Sequence, residues 1–416
     1  MNDPKKILII CDLFPPAFGP RMGYLCKYLK RLGWTPVVLT ETVSDETFAF
    51  LAGDCPVTRI NFYTATGRLM KKLQWMGVML LDYFFGYKDA RFYREASQLY
   101  EKEKFSLVLC SAYRTFPLPA ALKTAKKLHI PLVTDLRDII EQYTGDEYIS
   151  RSLHKIPLLG KGVAAAFREK ALRQRNKALR QAACVTTVSP WHVDVLKQYN
   201  PNVKLIYNGF DPDIFYPEQV KTEQFNVTYT GRILSLAMRD PSLLFEAVTL
   251  LAKEGKIGPA DFRVRWFVDE TSEKILKEEL KKYAIPEYMD FYGYVPAHEV
   301  PAVLNGSSVL LQLANRSSET GPKGLMTTKL FESFAVKKPM LCVRSDESHL
   351  EQAIREARAG VAARNVEETA AFLLEKYEEW KQKGYTEVDS DKKIIESYSR
   401  EGQARQFANI FGQLIG

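Results

Sequence analysis

Residues 321–339 hold the side chains best suited to chemistry, in the order Gly321-Pro-Lys-Gly-Leu-Met-Thr-Thr-Lys-Leu-Phe-Glu-Ser-Phe-Ala-Val-Lys-Lys-Pro339. The glycines relax a loop, and Thr327 or Thr328 can cap a helix that begins there. A helix start presents unbonded backbone N–H groups and the positive end of its dipole, which together attract an anion. Lys329 falls in the first turn, where a cation opposes that dipole and an anion would relieve the conflict. Glu332 lies one turn on, where a carboxylate suits the two hydroxyls of a ribose, as in dinucleotide folds. The same i,i+3 spacing also fits an ordinary surface ion pair. Spacing alone leaves both readings open.

A second group stands further forward. Arg114, Asp135, Arg137 and Asp138 each follow a strand-like run, where they could orient a hydroxyl or a sugar, or pair with one another to fix loops. Asp211-Pro-Asp213 has the D-x-D form of some metal sites, but the preceding Asn208-Gly209 makes turn capping the simpler reading. The five histidines include no HxH or HxxxH pair, and the six cysteines include no CxxC. No metal site, zinc site or disulfide framework is expected from that spacing.

These groups need a scaffold. Lys6-Ile-Leu-Ile-Ile-Cys11 reads as a strand buried on both faces, residues 22–32 as a helix closed by Gly33, and residues 34–40 as the next strand. Strand and helix keep alternating, and near residue 210 the order restarts with Asn226-Val-Thr-Tyr-Thr-Gly231. The expected fold class is α/β, with two doubly wound Rossmann-like domains facing across a cleft. At 416 residues the chain is long enough for two such cores.

Composition excludes several classes. With 46% hydrophobic and 26% charged residues the chain is globular rather than disordered. No apolar run reaches membrane-spanning length, and the N-terminus has no signal-peptide pattern, so a cytoplasmic protein is expected. The net charge of +8 indicates an anionic partner. Residues 151–180 carry nine cations against one acid, Glu169, among apolar residues such as Val163, Phe167 and Leu172. Such a helix can lie on an anionic membrane surface at the inner face of the cytoplasmic membrane, or pack on the sheet. Residues 70–87 offer a second basic and apolar stretch.

Taken in order, the motifs resemble GT-B glycosyltransferases, particularly the large retaining family 4. Thr328-Lys-Leu-Phe-Glu-Ser-Phe-Ala-Val-Lys-Lys-Pro-Met-Leu341 resembles the family's donor-binding helix, and Phe14-Pro-Pro-Ala-Phe-Gly19 its N-terminal glycine loop. The stretch from Ser111 to Asp138 is similar to a subgroup that makes bacterial surface polysaccharides. Val185-Thr-Thr-Val-Ser189 and Asn208-Gly-Phe-Asp211 match the end of the first domain, and Tyr229-Thr-Gly-Arg232 the opening of the second. Gly293-Tyr-Val-Pro296 resembles the segment that brackets the nucleotide base.

The resemblance implies domains at 1–208, completed by about 396–416, and at 209–395. It implies donor contacts from Gly19, Arg232, Arg239, Tyr294, Val295, Thr328, Lys329, Leu330 and Glu332. Catalytic roles fall to Arg232, Lys329 and Asp138, with Arg114, Asp135, Arg137, Asp138 and Glu319 on the acceptor or sugar side. Two departures from the family are visible. Arg239 stands about one residue from the position of a family lysine, and Gly324 replaces the first glutamate of the E-x7-E pattern. The implied reaction moves a sugar, with retained configuration and no metal or other cofactor, from a UDP-sugar to a glycan or lipid-linked hydroxyl in cell-surface polysaccharide synthesis. No nucleic-acid partner is implied. A sugar-nucleotide 2-epimerase of the same fold and a non-catalytic nucleotide-sugar-binding subunit are the alternatives.

Overall fold

The computed structural model describes residues 5–53, 55–142, 157–237, 239–314 and 326–416, and for 157–161 the backbone alone. The chain divides into two compact units, Met1–Tyr207 with Arg400–Gly416, and Asn208–Ser399.

The first unit runs β1 (Lys5–Cys11), α1 (Pro20–Arg31), β2 (Trp34–Glu41), β3 (Val57–Ile60), α2 (Arg68–Phe85), α3 (Tyr87–Lys102), β4 (Leu107–Ala112), α4 (Leu118–Leu128), β5 (Leu132–Leu136), α5 (Pro157–Leu179), β6 (Cys184–Thr187), α6 (Pro190–Leu196) and β7 (Val203–Leu205). Its seven strands are ordered β3-β2-β1-β4-β5-β6-β7, and every pairing is parallel. The apolar run of β1 explains its central place. Side chains alternate across a strand, so Leu8 and Ile10 enter one buried cluster while Ile7, Ile9 and Cys11 enter the other.

The second unit runs β8 (Phe225–Thr230), α7 (Ser242–Lys253), β9 (Phe262–Phe267), α8 (Glu270–Leu280), β10 (Met289–Tyr292), α9 (Val300–Asn305), β11 (Val309–Leu313), α10 (Thr328–Ala335), β12 (Met340–Val343), α11 (His349–Glu356), β13 (Gly360–Ala363), α12 (Val366–Lys383) and α13 (Lys392–Ser397). Its six parallel strands are ordered β10-β9-β8-β11-β12-β13. The chain then returns to the first unit as α14 (Arg400–Ile415), whose Phe407 and Phe411 join the core beside α1. Phe411 meets Trp34 edge-on at 5.4 Å.

Both sheets are parallel and doubly wound, as the sequence implies, and each reverses strand order beside its first strand. Those reversals fall between β1 and β4 and between β8 and β11. In such sheets ligands bind outside the carboxyl ends of the strands at the reversal. β3, β13 and the α2–α3 pair were not foreseen from the sequence.

The basic segment was left between a membrane surface and packing on the sheet. Arg151 and Lys155 lie outside the described residues. The rest falls on or just after α5, which packs on the core most closely at its C-terminal end. Ala178 and Leu179 are in the core, and the fully buried Arg175 makes a two-pronged ion pair with Glu141 at 2.6 Å. Lys170 donates to the Tyr83 carbonyl, and Phe167 meets the Tyr83 ring at 4.3 Å. Arg175 and Lys170 are thus held in internal contacts, while Arg173, Lys177 and Arg180 are exposed.

Candidate functional site: a cation cluster at the β8–β11 reversal

β8 ends at Thr230, and Gly231 turns the chain with φ +123°, a backbone region that favours glycine. A Cβ on Gly231 would overlap the Lys329 ammonium, so glycine here serves both the turn and the lysine. Tyr229, almost fully buried, holds two parts of the cluster. Its ring lies 5.0 Å from Lys329 Nζ, and its hydroxyl donates to the Arg232 carbonyl at 3.0 Å. Arg232 itself is exposed and lies 3.3 Å from Asp269, the cap of α8. Arg239 donates from Nη1 to the Leu313 carbonyl at 2.9 Å, at the carboxyl end of β11. Its buried Nε has no hydrogen-bond partner among the described residues.

Lys329 enters from α10. Thr327 stands at the N-cap in extended conformation, but its side chain makes no capping bond and the first turn holds no acid. α10 is fixed from behind: Leu330, Phe331 and Phe334 are buried, Tyr398 packs on both phenylalanines, and Gln312 of β11 bonds Ser333 at 3.2 Å. Burial is the largest influence on Lys329 and lowers its pKa to about 7; Arg239 and then Arg232 push the same way, while Glu332 opposes them. The electrostatic meaning is direct. Three cations meet where their own charges disfavour them, and an anion placed among them would be strongly held.

Leu330 is corrected by the structure. Its side chain is in the core and its amide donates to the Thr327 carbonyl, so it has neither group to offer a donor. Thr328 is half-buried at the start of α10, and Glu332 is half-buried one turn further. Tyr294 and Val295 follow β10, two strands from β8, on the edge of the sheet shared by all strand ends; Tyr294 is exposed. Glu319 and Gly324 lie outside the described residues.

In the first unit, Asp12, Arg114, Arg137 and Asp138 follow β1, β4 and β5 at the corresponding reversal. Arg137 pairs with Asp12 at 2.5 Å, while burial raises the Asp12 pKa against that pull. Arg114 stands over the Tyr113 ring at 5.2 Å. Asp138 accepts from Gln142 at 2.5 Å, Gln142 meets His192 at 3.0 Å, and His192 meets Thr187 at 3.0 Å. Burial raises the Asp138 pKa and lowers that of His192 to about 4, which keeps the imidazole neutral.

Asp135 is a correction: it is fully buried and closed by Arg21 through two contacts of 2.9 Å, with Thr186 at 2.8 Å and Ser111 at 3.2 Å. It braces the strand ends and presents no oxygen to an acceptor. Gly19 is explained by packing, since a Cβ would lie 2.7 Å from the Leu13 carbonyl oxygen. Asp211 accepts the Asp213 N–H at 3.0 Å, the geometry of a capped turn. Among the described residues, no three His, Cys, Asp or Glu side chains are grouped to hold a metal ion.

The sequence reading passed over Tyr229, Gly231 as a seat for Lys329, and Asp12. A glycine at a strand end followed by arginine was the available signal for the first two.

The model of Glycosyltransferase Family 4 matches residues 21–214. The match covers 194 of the 416 residues, most of the first unit. Solved structures agree in fold along nearly the whole length. Anabaena HepE in complex with UDP and glucose aligns at 15% identity and TM-score 0.61, over 99% of this chain and 100% of its own. Sucrose-phosphate synthase from Thermosynechococcus elongatus aligns at 13% and 0.58, over 99% of both chains. A putative UDP-N-acetylglucosamine 2-epimerase from Listeria monocytogenes aligns at 11% and 0.52, over 97% of this chain and 94% of its own. No curated protein matches in sequence. The match begins in α1 and runs just into the second unit, and beyond it the chain shares its fold with these solved structures.

Proposed function

We propose that the chain transfers a sugar from a nucleoside-diphosphate donor, a UDP-sugar, to a glycan or lipid-linked hydroxyl with retained configuration. The observation that carries this reading is the cation cluster of Lys329, Arg232 and Arg239 at the start of α10 and the β8–β11 reversal. A diphosphate fits it in charge, and Glu332 one turn along suits the ribose hydroxyls. The bond from the anomeric carbon to the β-phosphate oxygen breaks, and the cations stabilise the charge that develops on the leaving UDP. The acceptor oxygen bonds to the anomeric carbon on the same face and gives its proton to a phosphate oxygen. The cluster supplies the positive charge that a metal would otherwise provide. That HepE is seen with UDP and glucose, in a GT-B fold, supports a uridine donor. Synthesis of a cell-surface polysaccharide is the role that best suits such an acceptor.

The test is release of UDP from a panel of UDP-sugars by the purified chain, with and without acceptor glycans and with EDTA. UDP release that persists in EDTA is expected. Loss on chelation, restored by magnesium, would overturn the metal-free mechanism. Interconversion of UDP-N-acetylhexosamines without UDP release would assign an epimerase. Donor binding without any turnover would assign a binding subunit.

A further inference from the structure

α2 is built inside out. Leu69, Leu73, Met76, Leu80 and Phe84 recur at helical spacing on one face, and all five are exposed, Leu69 and Phe84 by more than 65%. At 1.5 Å per residue the stripe is about 22 Å long. Val78, the helix's one buried residue, lies on the opposite side. Met70, Trp75, Leu81 and Phe85 add further exposed apolar surface. Soluble monomers rarely leave so much contiguous apolar area open to water.

Charge indicates what covers it. Arg68 and Lys72 are exposed along one flank of the stripe, Lys71 is exposed on the far side, and the helix contains no glutamate. Its single acid, Asp82, accepts the Lys88 N–H at 2.8 Å. The asymmetry extends to the whole first unit, which holds 33 Lys and Arg against 19 Asp and Glu; the second holds 25 against 31. A second copy would set these like-charged surfaces against each other. No described helix is long and apolar enough to cross a membrane, so α2 can lie on a bilayer but not traverse it.

We propose that α2 docks the first unit on an anionic lipid bilayer, with Leu69, Leu73, Met76, Leu80 and Phe84 in the acyl boundary and Arg68 and Lys72 among the headgroups. This inference is independent of the donor-site reading.

The full chain is sedimented with vesicles of phosphatidylcholine containing phosphatidylglycerol, and with pure phosphatidylcholine. Binding to the anionic vesicles is expected, weakened about tenfold or more as added salt screens the headgroups. Leu73→Glu with Leu80→Glu should weaken it by about a hundredfold while leaving circular dichroism and UDP-sugar binding unchanged. Wild-type protein that stays in the supernatant at low salt overturns the proposal, as does a double variant that binds as well as wild type. Should that variant misfold, quenching of tryptophan by brominated anionic lipid decides. Leu80→Trp places an indole on the stripe, and its quenching is expected to exceed that of the wild type; no added quenching counts against α2.

Discussion

Replacing Lys329 with methionine abolishes donor binding in the concentration range where the wild type saturates. Loss of a charge-assisted hydrogen bond costs about 1.5–3 kcal/mol, a factor of roughly 10 to 150 in affinity. The same change should make the unliganded protein more stable. Lys329 has its pKa lowered from 10.5 to about 7, first by burial and then by Arg239, with Arg232 adding to it. Unfolding therefore takes up a proton between those two values, and unliganded stability rises with pH across that window. Below about pH 7 the full cost of holding the ammonium in the cluster is present. Lys329→Met removes that cost and flattens the rise, which urea titrations at pH 6 and pH 9 would detect. A residue placed only for packing would lose stability on substitution, so opposite signs for binding and stability mark a functional lysine.

Asp135→Ala has the largest expected effect on stability. Its carboxylate is buried with Arg21, which also donates to the Ile206 and Tyr207 carbonyls. Removing one partner strands a buried guanidinium, at a cost of about 3–5 kcal/mol. The Asp135 pKa is lowered in the fold, with burial opposing and Arg21 prevailing. Its contribution is present above the ordinary carboxylate pKa and is lost as pH falls through the lowered value. Equilibrium unfolding in urea measures the loss, and Arg21→Met combined with Asp135→Ala should cost less than the single change. A loss below about 1 kcal/mol would show that the pair does not brace the sheet.

The parallel, doubly wound character of both halves was legible because strands such as Ile7–Cys11 are buried on both faces and announce it as unbroken apolar runs. β3 and β13 were not, since four residues with partly exposed positions carry little apolar signal. Around Lys329 and Glu332 the sequence offered charge and spacing but not depth. That Gly231 seats the lysine against Tyr229 depends on contacts about 100 residues apart. Asp135 shows the same limit: its place after a strand suggested an acceptor group, whereas Arg21, 114 residues earlier, closes on it. In α2 the helical period was present in the sequence, but period alone does not say which face meets water. For α5, a cation count could not reveal that Arg175 is buried with Glu141.

Calorimetry of UDP-sugar binding at pH 8, in two buffers of different ionisation enthalpy, tests the central claim most directly. The donor's phosphates do not titrate near neutrality, so any proton taken up on binding belongs to the protein. With Lys329 mostly neutral at that pH, filling the cluster with a diphosphate should recharge it. The account predicts uptake of nearly one proton, affinity falling up to tenfold per pH unit above about 7, and loss of the uptake in Lys329→Met. Tight binding with no buffer dependence, unchanged from pH 6 to pH 9, would contradict it.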